Sequence, residues 1–409
     1  MQVSIEGYTL KDTLFQNARS SYIRGVRNQS QQAVLIKVLQ QGYPSAEEIA
    51  RIRNEFQLMN RLELPEIMPP LELVKHGNRL SLVMEQLGEP LSSLLDGGIQ
   101  LTEFFIMAIE MAKALDIFHR KGLIHKAISP STLFWDENGQ RLRVIEFENA
   151  TELTQEQKND PYLELFEENL PYISPEQTGR MNRDVDYLTD YYSLGATYYE
   201  MITGKKAFEA ADTMGWVYCH LTKKPVELSK IKSEVPKIVS DIVLKLMSKN
   251  PENRYQSMQG LIKDLQECQR QWAQEGTIES FVLGKSDFSD KFQIPQKLYG
   301  RKAEIDALMG AFRNASRGQP ELLMIAGFSG IGKSALVKEI RIPVLQADGF
   351  FIEGENDQLQ RSQPYIALRK AFDGLIRRLL AEPNETLEGW KYSLLQAMGT
   401  NAQIVLDTV

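Results

Sequence analysis

The chain has few of the features that mark a secreted, membrane-spanning or nucleic-acid-binding protein. Its 409 residues include two cysteines, Cys219 and Cys268, whose spacing indicates neither a metal site nor a disulfide framework. The longest apolar stretches have the length of a strand rather than of a bilayer span, and no signal pattern opens the sequence. A net charge of −7 without runs of like charge argues against nucleic acid as the main partner. These absences favour a cytoplasmic protein with reduced thiols and no membrane insertion.

The length allows two or three domains, each with its own core. Residues 1–98 alternate β-rich runs with one helix, which begins at Ser45 and has Glu48 in the position of a capping box. Five strands are predicted in this part, over residues 8–15, 22–26, 33–39, 71–76 and 80–84. From Leu101 onward the pattern is mostly helical, and the first long helix has an apolar face made of Phe105, Ile109, Ala112, Leu115 and Phe118. The pattern predicts an α+β arrangement.

A weakly patterned, polar segment follows, and we interpret residues 271–296 as a linker. An α/β pattern begins after it. Helices are predicted over residues 303–312, 335–340 and 365–380, and strands over residues 321–326 and 350–353.

A glycine-rich motif connects the first of these strands to the following helix. Residues 327–334 match G-x-x-x-x-G-K-[ST] in full, with Gly327, Gly332, Lys333 and Ser334 at the defining positions and Gly330 within the loop. In such a loop the backbone amides and the lysine hold the phosphates, and the hydroxyl binds magnesium. The strand, loop and helix together predict a site for ATP and Mg²⁺.

Several motifs between residues 8 and 270 occur in the order of the protein-kinase fold, and this part of the chain resembles that family. Residues 34–37 resemble the strand that carries the phosphate-binding lysine, here Lys37, and Glu55 on the capped helix resembles its ion-pair partner. Glu176 and Arg254 resemble the buried pair that holds the helical lobe together, and we expect a bidentate contact between them. The resemblance implies a bilobal fold, with a small lobe over residues 1–86 and a helical lobe over residues 87–270.

The residues that carry kinase chemistry differ from the family pattern. In the loop that resembles H-R-D-x-x-x-x-N, Ala127 replaces the aspartate that accepts the substrate proton, and Thr132 replaces the metal-binding asparagine. An alanine methyl group can do neither task. The magnesium motif D-F-G appears here as Glu146-Phe147-Glu148, so Glu146 keeps a carboxylate for weak magnesium binding. No catalytic residue is predicted, and the pattern is typical of a pseudokinase.

The nucleotide pocket of the kinase-like part also departs from the family. Phe15, Asn17 and Ser20 stand where the three loop glycines are expected, so the backbone cannot approach phosphates as closely. Leu35 and Tyr22 replace small residues that frame the adenine and are predicted to shrink its slot. The resemblance implies nucleotide-binding roles for Lys37 and Glu55, and these replacements oppose them.

The last part of the chain resembles an AAA-like ATPase domain, with residues 298–301 and the helix after them as its beginning. Its one candidate for a Walker-B acid is Asp407, which we interpret as a chance match, so we predict an incomplete α/β P-loop domain over residues 297–409. The domain order resembles the N-terminal part of bacterial dual serine/threonine–histidine kinases, in which GAF and histidine-kinase modules follow. That resemblance implies other signalling proteins, or downstream domains of a longer chain, as partners.

Three hypotheses remain open from the sequence. The first is a cytoplasmic signalling protein in which a catalytically silent kinase-like module acts as a regulatory or interaction domain. It lies in the same chain as an ATP-binding P-loop domain. The second is a working serine/threonine kinase with an unorthodox site, favoured by Lys37, Glu55 and the carboxylate of Glu146. The third is a P-loop ATPase in which the kinase-like part has only a structural role.

Overall fold

The computed structural model describes residues 4–17, 19–137, 139–152, 169–181, 184–288, 300–328, 331–347, 349–354, 365–379 and 384–399. The chain divides into two compact units, Met1–Lys297 and Leu298–Val409, called the first and the second unit below. Among the residues described, no helix is long and apolar enough to cross a membrane.

The first unit begins with a five-stranded antiparallel sheet and one helix. The strands lie in the order β1-β2-β3-β5-β4. The five predicted strands are confirmed, with bounds shifted by a residue or two. The elements are β1 Tyr8–Gln16, β2 Ser20–Arg27, β3 Ala33–Leu39, α1 Ala46–Leu62, β4 Pro70–His76 and β5 Arg79–Glu85.

Helix α1 begins where the sequence predicts. The Ser45 hydroxyl accepts from the Glu48 amide at 3.2 Å, and the Glu48 carboxylate accepts from the Ser45 amide at 2.7 Å. This capping box satisfies two amides that the first helical turn leaves without partners. The buried face of α1 carries Ile52, Glu55 and Met59, so the helix turns one carboxylate inward together with its apolar residues.

The rest of the first unit is mainly helical, with five short strands that form one two-stranded and one three-stranded sheet. The predicted apolar face of the long helix is confirmed, because all five of its residues are buried in α2. The elements are β6 Glu89–Pro90, α2 Leu101–Arg120, β7 Leu123–Ile124, β8 Leu133–Asp136, β9 Arg141–Val144, β10 Thr151–Glu152, α3 Leu188–Thr203, α4 Thr213–Thr222, α5 Leu228–Ile231, α6 Lys237–Leu246 and α7 Met258–Glu275. One apolar core runs through both lobes.

A buried ion pair joins distant parts of the helical lobe, as the sequence predicts. The Arg254 guanidinium donates to both carboxylate oxygens of Glu176, at 2.6 and 2.8 Å. The same guanidinium donates to the carbonyls of Leu188 and Ser248. Both side chains are fully buried, and every donor of the fork has an acceptor, which is the condition under which a buried pair is tolerated.

The segment after α7 packs against the helical lobe. Helix α7 continues past residue 270 to Glu275, so the residues predicted as a linker begin inside it. Farther along, the Asp287 carboxylate accepts from the amides of Gln256 and Ser257 at the start of α7. The Gly284 amide donates to Asp264 on the same helix at 2.7 Å. These contacts hold the chain against the helical lobe as far as Asp287.

The second unit contains five helices in its described residues. They are α8 Lys302–Ala315, α9 Lys333–Lys338, α10 Arg341–Gln346, α11 Ile366–Leu379 and α12 Asn384–Met398. The predicted helices are confirmed with shifted bounds. The strands predicted over residues 321–326 and 350–353 are wrong: both stretches are described and neither is a strand.

The physical reason for the missing strand at 321–326 lies in its surroundings. Leu322 and Met324 are 88% and 86% exposed. A strand obtains its hydrogen bonds and its burial from neighbouring strands, and the described part of this unit contains none. An apolar run therefore predicts a buried strand only where partner strands are present.

We expect Glu176→Gln and Arg254→Met each to lower the free energy of unfolding by about 3–5 kcal/mol, because each leaves a buried charge without its partner. The double variant should lose clearly less than the sum of the two losses. Urea unfolding of the full chain, followed by circular dichroism, measures this. The control is Glu227→Gln, whose pair with Lys230 is exposed and should change stability by at most about 1 kcal/mol. A loss from Glu176→Gln as small as the control's contradicts the prediction.

Candidate functional site

Lys37 and Glu55, predicted as an ion pair, lie together at the centre of the first unit. Lys37 is on β3, and its Nζ donates to Glu55 Oε2 on α1 at 2.9 Å. Both side chains are 1% exposed. The other Glu55 oxygen accepts from the Phe147 amide at 2.9 Å. One carboxylate therefore connects the sheet, the helix and the segment that follows β9.

Two more carboxylates contact the same ammonium group. Lys37 Nζ lies 3.0 Å from Glu148 Oε2 and 3.2 Å from Glu146 Oε1, and both glutamates are 7% exposed. We call Lys37, Glu55, Glu146 and Glu148 the Lys37 cluster. One positive charge faces three negative ones, so the Lys37 cluster carries two formal negative charges when fully ionised.

The charges of the Lys37 cluster shift the pKa values of its members. Burial alone would lower the pKa of Lys37, but the carboxylates of Glu148 and Glu55 outweigh burial and raise it. Burial likewise acts to raise the pKa of Glu148, and the Lys37 ammonium overcomes this and lowers it. Burial, reinforced by the Glu148 charge, raises the pKa of Glu55 despite Lys37. Lys37 is therefore firmly protonated, and Glu148 is its firmly ionised partner.

The role of Glu148 is missed by the sequence reasoning. The available signal was an acidic residue at the third position of Glu146-Phe147-Glu148, where the family has glycine. Glu146, predicted as a weak magnesium ligand, has its carboxylate against Lys37. Within the described ranges no group of His, Cys, Asp or Glu side chains is arranged to hold a metal ion. The three carboxylates are arranged around an ammonium group.

Aromatic side chains fill the space next to Lys37. The rings of Phe15 and Tyr22 stack with their centres 4.4 Å apart, and Lys37 Nζ is 5.8 Å from the centre of the Tyr22 ring. Tyr22 and Leu35 are completely buried in the main core, with Met84 of β5 and Phe134 of β8 in the same cluster. The large, buried side chains of Tyr22 and Leu35 stand where the sequence predicts a narrowed adenine slot.

In the turn between β1 and β2, the side chain of Asn17 binds the backbone amides of the turn itself. The Asn17 side-chain oxygen accepts from the amides of Arg19 and Ser20, at 3.2 and 2.6 Å. These amides are consequently turned toward Asn17 rather than toward a ligand. A cavity of about 450 Å³ does open beside the connection between the lobes, but its lining includes Glu89, Asp136 and Glu137 and excludes Lys37. Its acidic wall is unsuited to phosphate.

The loop around Ala127 keeps the support of a catalytic loop without its chemistry. Asp190 accepts from the amides of His125 and Lys126 at 2.9 and 2.8 Å, and His119 Nε2 donates to it at 2.9 Å. Burial acts to raise the pKa of Asp190, but these donors, led by His119, lower it. The Ala127 amide donates to His125 Nδ1 at 3.2 Å, and its methyl group offers no base.

Thr132 takes part in holding the same loop. Its hydroxyl lies 2.9 Å from the Ala127 carbonyl, to which it donates, and it accepts from the Ser129 amide at 3.0 Å. The hydroxyl is thus used within the loop. Ala127 and Thr132 therefore lie at the predicted loop positions, and neither is placed to act in proton transfer or metal binding.

Two residues of the site hold backbone conformations that L-amino acids rarely adopt. Lys126 has φ 67° and Glu146 has φ 70°. Such conformations cost on the order of 1–3 kcal/mol and persist only when neighbours enforce them. Asp190 holds the Lys126 amide, and Glu55 holds the Phe147 amide next to Glu146. These two hydrogen bonds hold the backbone next to the strained residues in place.

The glycine-rich loop of the second unit begins helix α9. Gly332 is the N-cap residue with φ 87°, a conformation suited to glycine. Lys333 Nζ donates to the carbonyls of Gly327 and Phe328, at 2.9 and 2.8 Å. Ser334 is exposed, and Gly330 lies outside the described residues. The lysine is held by neutral acceptors of its own loop, and the residues present fit a phosphate ligand.

Comparisons with known proteins agree with this division. Residues 8–265 match the protein kinase domain, and residues 297–408 match an AAA ATPase domain. The chain therefore belongs to the protein kinase domain family and carries an AAA-type ATPase domain after it. The fold class predicted from the sequence, a bilobal α+β kinase fold followed by an ATPase domain, is confirmed.

Similar curated proteins are named as kinases. Hybrid signal transduction histidine kinase G of Dictyostelium discoideum is 33% identical over 258 residues, 58% of this chain and 8% of that protein. A probable serine/threonine-protein kinase of Clostridium perfringens is 28% identical over 58% of this chain and 34% of that protein. The peroxide stress-activated histidine kinase mak3 of Schizosaccharomyces pombe is 24% identical over 75% of this chain and 15% of that protein. The chain thus spans about a third or less of the length of these relatives.

Lys37→Met should destabilise the chain by about 3–5 kcal/mol at pH 7.5, because it leaves three buried carboxylates without their cation. The difference in the free energy of unfolding between the natural chain and the variant should become smaller as the pH falls below about 5. In the natural chain Lys37 holds the pKa of Glu148 below its usual value, so the stability this carboxylate contributes is present above that value and is lost in acid. In the variant, the three carboxylates repel one another, and this repulsion raises their pKa values. Protonation in acid removes the repulsion and therefore part of the destabilisation.

Urea unfolding of the full chain at pH 7.5 and at pH 4.5 measures the two deficits. Lys75→Met, on the exposed side of β4, is the matched control and should be nearly neutral at both pH values. A deficit of the same size at both pH values contradicts the assignment of Lys37 as the cation that holds the Lys37 cluster.

Proposed function

We propose that the chain is a cytoplasmic signalling protein whose kinase-like unit is catalytically silent and acts as a regulatory or interaction module beside an ATP-binding P-loop domain. The observation that carries this proposal is Ala127 in a loop that Asp190 still supports. A loop with its support intact and its base absent retains the shape of an enzyme without its proton acceptor.

The magnitude of the loss supports the proposal. A missing general base typically lowers a rate by about 10²–10⁴-fold, which alone leaves measurable activity. Here the second metal ligand, the glycine loop and the adenine slot are changed as well, and such losses fall on one transition state. Asp136, the next carboxylate along the chain, ends strand β8 opposite Arg141 of β9 and lines the cavity beside the lobe connection. It is not placed as a replacement base.

The relatives suggest the setting of the module. Two of them are named as histidine kinases, and the similarity to mak3 covers 75% of this chain. We infer that the chain belongs to the dual serine/threonine–histidine kinase type of sensor. Its partners are then further modules of such a protein or other signalling proteins, with no role for nucleic acid.

An active kinase is the second candidate function, and a specific observation favours it. Lys37 and Glu55 are paired at 2.9 Å, the arrangement that an assembled kinase site needs. The filled adenine slot and the glutamates on Lys37 oppose it. Phosphate transfer decides between the two candidates.

We expect the purified chain to transfer no phosphate from radiolabelled ATP to itself or to generic protein substrates, with Mg²⁺ or Mn²⁺. The reason is the absence of a base at Ala127 and of an open nucleotide slot. An established serine/threonine kinase, assayed in parallel, confirms that the substrates are competent. Incorporation that disappears in Lys37→Met, and not in Lys75→Met, contradicts the silent-module proposal and selects the active kinase.

ATP binding by the whole chain should depend on Lys333. The lysine must exchange two neutral carbonyl acceptors for phosphate, which its position at the start of α9 favours. Lys333→Ala should abolish MgATP binding in calorimetric titration, whereas Lys302→Ala, on the exposed side of α8, should leave the affinity unchanged. Lys37→Met, measured at a temperature at which it is folded, should also bind normally. Loss of binding in folded Lys37→Met with binding kept in Lys333→Ala reverses the assignment of the two sites.

The variants Lys333→Ala and Lys37→Met also distinguish a protein that acts only as an ATPase from the two candidates above. ATP turnover that is lost in Lys333→Ala and kept in folded Lys37→Met indicates hydrolysis at the glycine-rich loop. Binding without turnover leaves this domain as a nucleotide sensor.

A further inference from the structure

Glu148 lies among positive charges. Its carboxylate accepts from Lys37 Nζ at 3.0 Å, and its side chain is 7% exposed. The guanidinium groups of Arg19, in the turn between β1 and β2, and of Arg51, on α1, also act to lower the pKa of this carboxylate. Lys37 is thus the cation that contacts Glu148 directly, whereas Arg19 and Arg51 act on its carboxylate through their charge, and Arg51 itself is ion-paired with Glu47 at 2.5 Å.

This arrangement is that of an anion site with its ligand supplied by the chain. In an active kinase the lysine of this strand contacts the α- and β-phosphates of ATP. A carboxylate oxygen is equivalent to a phosphate oxygen in the two properties that matter here, because both are anionic and both accept from an ammonium group. The glycine that the family has at position 148 supplies no such group.

We propose that Glu148 is a tethered substitute for nucleotide phosphate, which fills a latent anion site at Lys37. The proposal rests on the silent-module function, in which the natural chain takes no ATP at Lys37. The proposal also explains why the site stays assembled without a ligand. The anion that helps to hold the sheet and helix α1 together is the Glu148 carboxylate, which is part of the protein.

The tether gives Glu148 a large advantage over any free anion. The Phe147 amide is fixed by Glu55, so the backbone next to Glu148 is already in position. An attached ligand does not lose the translational and rotational freedom that a free ligand loses on binding. A phosphate that displaced Glu148 would also have to enter beside the carboxylates of Glu55 and Glu146. Millimolar phosphate compounds should therefore fail against the natural chain.

The proposal has a functional consequence for the whole protein. A kinase-like unit that carries its own anion keeps one conformation at every ATP concentration. Changes in nucleotide level then act on the chain through Lys333, and the kinase-like unit presents a constant surface to its partner.

The test uses the full chain carrying Lys333→Ala, so that the glycine-rich loop contributes no binding. Inorganic pyrophosphate is the probe, because it needs no adenine slot and the Phe15–Tyr22 stack does not exclude it. In this background Glu148→Gly should create a saturable rise in melting temperature with millimolar pyrophosphate, since a ligand that binds the native state raises its stability. The background chain should show no rise.

Two controls separate a specific site from general anion effects. Glu137→Gly removes one exposed carboxylate in the same background and should show no rise. Adding Arg51→Met to Glu148→Gly should weaken the pyrophosphate effect several-fold, because it removes a positive charge that acts on this position. A folded Glu148→Gly protein without any rise overturns the proposal, as does a rise of equal size in Glu137→Gly.

Glu148→Gln keeps the side-chain shape and provides a second measurement should the glycine variant fail to fold. It should lower the urea midpoint at pH 7.5, because the charge that Lys37, Arg19 and Arg51 stabilise is gone. A midpoint equal to or above that of the background overturns the proposal. A pyrophosphate effect in the background chain that requires Lys37 would show instead that the natural site is open, and the silent-module function fails in that case.

Discussion

The assembly of the small lobe depends on one buried ammonium group. Lys37 is 1% exposed and contacts Glu55, Glu146 and Glu148, which lie on two different elements. Lys37 cannot be removed without a large cost, since three buried carboxylates left without their cation destabilise the fold by several kcal/mol. The sheet, helix α1 and the segment after β9 are consequently held in one arrangement. The filling of the pocket by Tyr22 and the strained φ of Glu146 are both compatible with this arrangement.

The residues that agree with the kinase pattern differ physically from those that do not. Glu176, Asp190 and Arg254 are buried charges with full sets of partners, and replacing any one of them leaves another charge or donor unsatisfied. Ala127 carries no such penalty, because the hydrogen bond to His125 comes from its backbone amide. The support of the fold can therefore persist after the chemistry is lost, which makes a binding role for this unit physically reasonable.

Local patterns and motif order were enough to predict much of this structure. The capping box at Ser45, the five strands and the pairs Lys37–Glu55 and Glu176–Arg254 follow from short-range spacing and from resemblance. The contact between Lys37 and Glu148 joins residues 111 positions apart in the sequence. Neither of the two motifs alone shows that their side chains meet. The strand prediction over residues 321–326 was wrong for a related reason, because the burial of an apolar run depends on strands elsewhere in the chain.

The two lysines that could bind phosphate differ in what holds them. Lys333 donates to two neutral carbonyls, so a phosphate offers it a charge that its present acceptors lack. Lys37 already faces ionised carboxylates, and an ion pair at about 4 Å contributes roughly 4 kcal/mol at an effective dielectric constant near 20. Exchanging those carboxylates for phosphate yields little electrostatic gain and requires Glu148 to be displaced. The same ligand chemistry is therefore favoured at the glycine-rich loop and disfavoured at the Lys37 cluster.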